Sequence, residues 1–189
     1  MNTKDAEDRI LVERSLQGEQ QAFEQLVGRY QKSIYNLAYR MTGRREDAEN
    51  LAQETFLRAY AKLETFQVGR PFSPWLFRIA SNLCINWKNR GERRELSLDS
   101  LDEGKKEQLL FSDISADPLS QIEQNQLQTL LRHEILALPI RYRLVFTLRY
   151  LEDHSCREIA EILDMPEGTV KTHLFRARRI LKGKLKNFY

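Results

Sequence analysis

The chain of 189 residues is 41% hydrophobic and 30% charged with a net charge of +3, a balance that suits one large or two small globular domains and excludes a disordered polyelectrolyte. No apolar run approaches the ~20 residues of a membrane span. The charged opening MNTKDAEDRILVERS lacks the apolar centre of a secretory signal, so a cytoplasmic protein without membrane insertion is expected.

A weakly periodic segment near residues 8–16 predicts a short first helix. Phe23, Leu26, Val27, Tyr30, Ile34, Leu37, Ala38 and Met41 then form a long i, i+3, i+4, i+7 stripe that stops at Gly43. The next helix is predicted from about Glu46 to Leu63, with Ala48, Leu51, Ala52, Thr55, Ala59 and Leu63 inward. Another opens at Ser73-Pro74, a cap followed by proline at the first helical position, and continues through Trp75, Leu76, Ile79, Ala80, Leu83, Cys84 and Trp87. Nothing here alternates with period two.

Periodicity fails from Gly91 to about Ala116, and six acids face two lysines between Asp99 and Asp117, which reads as a flexible linker. Helices resume over roughly 119–138, where Pro139 intervenes, and over about 141–152. The boundaries expected are 1–90 for a first helical domain, 91–117 for the linker and 118–189 for a second.

The last segment carries the strongest pattern. Ser155 with Glu158 makes a capping box that starts a helix with Ile159, Ala160 and Leu163 on one face. Asp164-Met165-Pro166-Glu167-Gly168 breaks it. A second helix follows, with Val170, Leu174, Ala177, Leu181 and Leu185 inward and Lys171, Thr172, Phe175, Arg176, Arg178, Arg179 and Lys182 on its other faces. Between Met165 and Tyr189 seven Lys/Arg stand against the single acid Glu167, a local net charge of +6 in a chain of +3. Concentrated cations on a helix-turn-helix point to DNA in a groove.

Catalysis has little to stand on. His133, His154 and His173 have no catalytic or metal-ligating spacing; after His133-Glu134, Ala137 occupies the place of a second zinc ligand. No glycine loop that could cradle phosphate occurs. Cys84 and Cys156 form no CxxC pair and read as reduced, half-buried packing residues. The chain therefore reads as a non-enzyme without a cofactor.

A second nucleic-acid surface is suggested around residues 66–94, where Phe66, Phe72, Trp75, Phe77 and Trp87 interleave with Arg70, Arg78, Lys88, Arg90, Arg93 and Arg94. Rings that stack on bases beside cations that track a backbone suit unpaired DNA. Phe72 and Trp75 also lie on the apolar stripe, which favours core packing for them. Asn82 and Asn86, one turn apart, offer paired amide donors and acceptors to a base. The helix DAENLAQETFLRAY shows Asp47, Glu49, Gln53, Glu54 and Arg58 along a polar face, which fits either a solvated surface or a docking face for a partner.

In this order, AFEQLVGRYQKSIYNLAYRMTG, EDAENLAQETFLRAYAKLETF and FSPWLFRIASNLCINW resemble region 2 of an extracytoplasmic-function (group 4) sigma factor of the sigma-70 family, and LPIRYRLVFTLRYLEDHSCREIAEILDMPEGTVKTHLFRARRILK resembles region 4. The resemblance implies an all-α fold of two tethered domains and a dissociable subunit of bacterial core RNA polymerase, contacting the β′ clamp helices and the β flap. It implies that Asp47, Gln53, Glu54 and Arg58 grip polymerase. It assigns the loop from Phe66 to Ser73, with Asn82, Asn86, Lys88 and Arg90, to the −10 promoter element. Lys171, Thr172, Phe175 and Arg176 would read −35 base edges, with Arg149, Thr169 and Arg178 on phosphates. Lys171 stands where relatives often have arginine and gives up the bidentate fork that favours guanine. An anti-sigma factor is the implied regulator. The rival readings are a free-standing operator-binder, which would use the C-terminal motif alone, and an adaptor whose main duty is sequestration by a partner.

Overall fold

The computed structural model describes residues 3–97 and 129–185, and every described segment of regular structure is helical. The first domain comprises α1 (Thr3–Leu16), α2 (Gln20–Thr42), α3 (Arg45–Ala61), a short 3₁₀ turn (Leu63–Thr65) and α4 (Phe72–Ser97). The second comprises α5, described over 129–136, then α6 (Ile140–Tyr150), α7 (Cys156–Leu163) and α8 (Glu167–Leu185). Among the described residues no helix is long and apolar enough to cross a membrane.

The long stripe of α2 is the axis of the first domain: Phe23, Leu26, Tyr30, Ile34, Leu37, Ala38 and Met41 are all buried. The helix ends as its sequence demands. Gly43 sits at φ 74°, the left-handed region that favours glycine, and its N–H returns to the Tyr39 carbonyl. A Cβ there would also lie 3.2 Å from Leu136 Cδ1, so the position is closed twice. On α3 the predicted inward set is buried as far as Ala59, and Leu63 is buried in the 3₁₀ turn.

α1 begins earlier than its periodicity suggests. It is held by a buried polar contact as well as by apolar Leu11 and Val12: Asp8, fully buried, accepts from Arg29 Nη1 at 2.6 Å and from the Tyr30 hydroxyl. Burial, and then the adjacent Asp8 carboxylate, push the Tyr30 phenol far above its ordinary value, so it stays a donor.

Two boundaries differ from expectation. α4 starts at Phe72, one residue before the predicted cap, so Pro74 lies in the first turn, where the backbone N–H has no helical acceptor to lose. At its other end α4 runs to Ser97, past the predicted linker start at Gly91, because Glu92-Arg93-Arg94-Glu95-Leu96 are all good helix formers. The remaining linker residues, residues 119–128 of the predicted helix, and the side chains of Arg93 and Arg94 lie outside the described set. Cys84, expected half-buried, is fully buried, and its thiol is pushed up to about 12 by desolvation.

In the second domain α7 carries the predicted capping box. Ser155 Oγ accepts from the Glu158 N–H at 3.2 Å and Glu158 Oε2 accepts from the Ser155 N–H at 2.7 Å. Asp164 closes the helix at φ 51°. Ser155→Ala should cost about 1 kcal/mol, seen as a lower denaturant midpoint. Burial opposes the Glu158 charge, but the Ser155 hydrogen bonds outweigh it and hold the carboxyl below its ordinary value. The unfolded carboxyl therefore binds its proton first. The box stabilises fully above the ordinary carboxylate range and loses its contribution as pH falls through the lowered folded value.

The two domains are packed together. α7 lies on α4, and α6 meets α2. Arg143 of α6, 8% exposed, crosses the junction. Its Nη1 donates to the Met41 carbonyl at 2.8 Å, and its Nη2 donates to the carbonyls of Leu138, at 3.0 Å, and Leu136. The Phe77 ring meets the His154 ring edge-on at 4.5 Å.

Candidate nucleic-acid and polymerase interfaces

The buried stripe of α8, Val170, Leu174, Ala177 and Leu181, holds the helix on α6 and α7 and so decides which residues face out. Lys171, Thr172, Phe175, Arg176, Arg178 and Arg179 are all exposed. Thr172, Phe175, Arg176 and Arg179 fall at i, i+3, i+4 and i+7, one continuous stripe. With Ile180 and Tyr142 of α6 they line a shallow open groove. Phe175 is 58% exposed, an apolar ring with no packing role that would keep it outside.

Several of these side chains are held in place. Lys171 Nζ pairs with Glu167 at 2.7 Å, and Thr172 Oγ1 donates to the Gly168 carbonyl at 2.9 Å. Arg176 Nη1 donates to the Tyr142 hydroxyl at 3.2 Å. Arg178 is exposed, Thr169 is half-buried at the start of the helix, and Arg149 of α6 donates to the His154 carbonyl at 3.1 Å. His173 packs on Tyr142, ring centroids 5.2 Å apart. Desolvation, and then the Arg141 and Arg176 charges, push its imidazole below its ordinary value, so at neutral pH it adds no positive charge.

The first domain presents a different surface. Arg78, Asn82 and Asn86 are exposed along α4 one turn apart, with Lys88 half-buried and Arg90 exposed beyond them. Phe66 does not join them. It is 7% exposed, with its ring 5.1 Å from Trp75 and 5.8 Å from Phe72, so it supports the loop that leads into α4 and offers no stacking face. Three aromatic rings that can bury one another do so before they serve a base. Phe72 and Phe77 are likewise buried and Trp75 half-buried. The loop itself turns at Gly69, φ 110°. With Thr65, Gln67, Arg70, Pro71, Pro74, Trp75 and Arg78 it lines a cavity of about 280 Å³, and one residue of the second domain, Glu161, closes its side.

On α3, Gln53 is exposed, Asp47 half-buried in the first turn, and Arg58 Nε binds Glu54 Oε1 at 2.6 Å. Leu57, 67% exposed, and Tyr60, 56%, lie one and two turns beyond Gln53 on the same side. Beside them a cleft opens between α2 and α3, lined by Val27, Gln31, Lys32, Tyr35, Glu49, Ala52, Gln53 and Phe56. The charge pattern concealed this apolar component. Leu57 and Tyr60 are off the Leu51–Thr55–Ala59 core stripe, and that offset was the available signal.

Comparison with known proteins places these surfaces in a family. Residues 26–94 match Sigma-70 region 2 and residues 128–181 match Sigma-70, region 4. The ECF RNA polymerase sigma factor SigW of Bacillus subtilis is 40% identical over 173 residues, covering 90% of this chain and 92% of SigW. The ECF RNA polymerase sigma-E factor of Haemophilus influenzae is 35% identical over 181 residues, 94% of this chain and 95% of its own. Among solved structures, CnrH in complex with the cytosolic domain of CnrY aligns with a TM-score of 0.67 at 25% identity, over 96% of this chain and 98% of that one. The sigma factor RpoE of Bartonella quintana, in complex with the anti-sigma factor NepR, shares the fold with a TM-score of 0.71 at 22% identity, over 87% and 96%.

Proposed function

The chain belongs to the extracytoplasmic-function sigma factors of the sigma-70 family, and on that premise we propose how its residues divide the work. The protein is an RNA polymerase sigma factor: it binds core polymerase, directs it to promoters through the −10 and −35 elements and starts transcription under anti-sigma control. It is not an enzyme. It acts in the cytoplasm, where core polymerase and promoters are.

Gln53, Glu54 and Arg58, with Asp47 at the head of the helix and the apolar Leu57 and Tyr60, form the face for the polymerase clamp; region 4 meets the β flap. Asn82, Asn86, Lys88 and Arg90 meet the −10 strand. The −35 element is read by Lys171, Thr172, Phe175 and Arg176 on α8, while Arg149, Thr169 and Arg178 anchor phosphates. The observation that carries this reading is the stripe Thr172–Phe175–Arg176–Arg179, solvent-exposed on a helix whose opposite face is fully buried. An exposed ring between cations suits a thymine methyl beside a phosphate-lined groove.

Run-off transcription with core polymerase and a promoter library tests the whole assignment, and failure to initiate on any template would sink it. Within it, Arg176→Ala should weaken −35 duplex binding by about 1–3 kcal/mol and relax preference at one base pair. A binding profile identical to the native one would remove Arg176 from the reading set.

A further inference from the structure

We propose that α1 belongs to the −10 machinery: its buried Asp8, acting through the Tyr30 hydroxyl, sets the pose of the loop 66–73, so that Asp8 and Tyr30 are positioning residues for the promoter base this loop meets. This rests on the −10 assignment above. The loop has little to hold it from within. A tight turn, with the Arg70 N–H donating to the Gln67 carbonyl at 3.1 Å, shapes its backbone around Gly69. Gln67, Val68, Arg70 and Pro71 are all exposed. Its pose is therefore inherited from its two ends. At the first, Phe66 is packed on Phe72 and Trp75. At the second, the Phe72 ring lies 5.7 Å from the Tyr30 ring, and the Ser73 hydroxyl hydrogen-bonds to the Tyr30 phenol. α1 touches both the 3₁₀ turn that enters the loop and the α4 helix that leaves it, so it braces the two ends together.

The chemistry of Asp8 makes the same point. It is fully buried, and its two oxygens are both engaged: Oδ1 accepts from Arg29 Nη1 at 2.6 Å and Oδ2 accepts from the Tyr30 hydroxyl. Arg29 is steadied in turn by Glu7 at 3.0 Å. Well-packed apolar residues in place of a buried ion pair usually hold a fold as firmly, so fastening α1 does not by itself call for a carboxylate. Direction does. A phenol has one proton to give, and Asp8 takes it, which turns the oxygen lone pairs towards Ser73 as acceptors. Without the hydroxyl, Ser73 and the loop that precedes it lose their fixed point.

The test uses holoenzyme assembled from the full chain and core polymerase, with a pool of single-stranded oligonucleotides of randomised sequence as the probe. Sequencing the bound fraction gives the base preference at each position. Tyr30→Phe keeps the ring and removes only the hydroxyl; Ser73→Ala cuts the same link from the loop side. Each should lower the preference at one position roughly tenfold, the weight of one well-placed base contact. The double variant should lower it no further, because both changes break one chain. Duplex −35 binding and co-elution with core polymerase should stay native, which a general weakening of the fold would not allow. Should Tyr30→Phe fold poorly, Ser73→Ala, at a half-buried position, carries the test alone. A native preference in either folded variant, additive losses in the double variant, or an equal fall in −35 binding overturns the positioning role. Asn82→Ala in the same assay separates the two readings. If it loses preference while Tyr30→Phe keeps it, the −10 assignment stands and only the positioning role fails; if the native holoenzyme shows no preference, both fall.

Discussion

Replacing Arg143 with methionine should lower the melting temperature by about 6–12 °C. Methionine fills much of the same volume but carries no donor. The carbonyls of Met41 and Leu138 then lose a partner in a buried place, and that of Leu136 in a part-buried one. An orphaned buried acceptor costs about 1–3 kcal/mol. Three together are offset in part by the removal of a desolvated cation, since burial alone already pushes the Arg143 pKa down. A net loss of about 3 kcal/mol is a large share of the ~5–15 kcal/mol that holds a domain together. For a chain of this size each kcal/mol moves the midpoint by about 2–4 °C. Calorimetry at neutral pH reads the shift directly, and a midpoint within about 2 °C of native would mean that Arg143 only decorates the junction.

The second large effect concerns polymerase. The double change Gln53→Arg with Leu57→Asp should weaken core binding about 100-fold and leave thermal stability nearly unchanged. Both side chains are exposed, so the fold loses no burial. A binding face concentrates its energy in a few central residues, each worth about 2 kcal/mol or more, and an apolar anchor turned into a charge loses burial and adds desolvation. Fluorescence anisotropy of the labelled chain against core polymerase measures the change. Undiminished affinity would move the docking face off α3.

Elements whose cause is local are legible in the sequence. The α2 stripe, its stop at Gly43, the Ser155–Glu158 box and the inward face of α8 each depend on residues within one or two turns, and each is where its pattern predicts. Phe66 was misread because a ring in a loop carries no periodicity. Only the fold reveals Phe72 and Trp75 within reach to bury it. The end of α4 was misplaced because Gly91 and the following charges look like a break, while Glu92–Leu96 have ample helix propensity. Arg143 was passed over for a related reason: a cation between Tyr142 and Leu144 reads as surface, and the carbonyls that draw it inward come from 102 positions away in one case. Packing of α7 on α4 is encoded by no local pattern, so the two helical domains were legible in the sequence and the contact between them was not.

The grip of Tyr142 on Arg176 has a consequence for how promoter preference can drift. A phenol on a neighbouring helix sets the starting pose of the Arg176 side chain, which therefore has part of its rotational freedom already surrendered. On the −35 role proposed for Arg176, changing that phenol would retune discrimination at the upstream promoter element through the pose of a neighbouring side chain. Sequence variation behind the reading helix is therefore as informative about target choice as variation upon it.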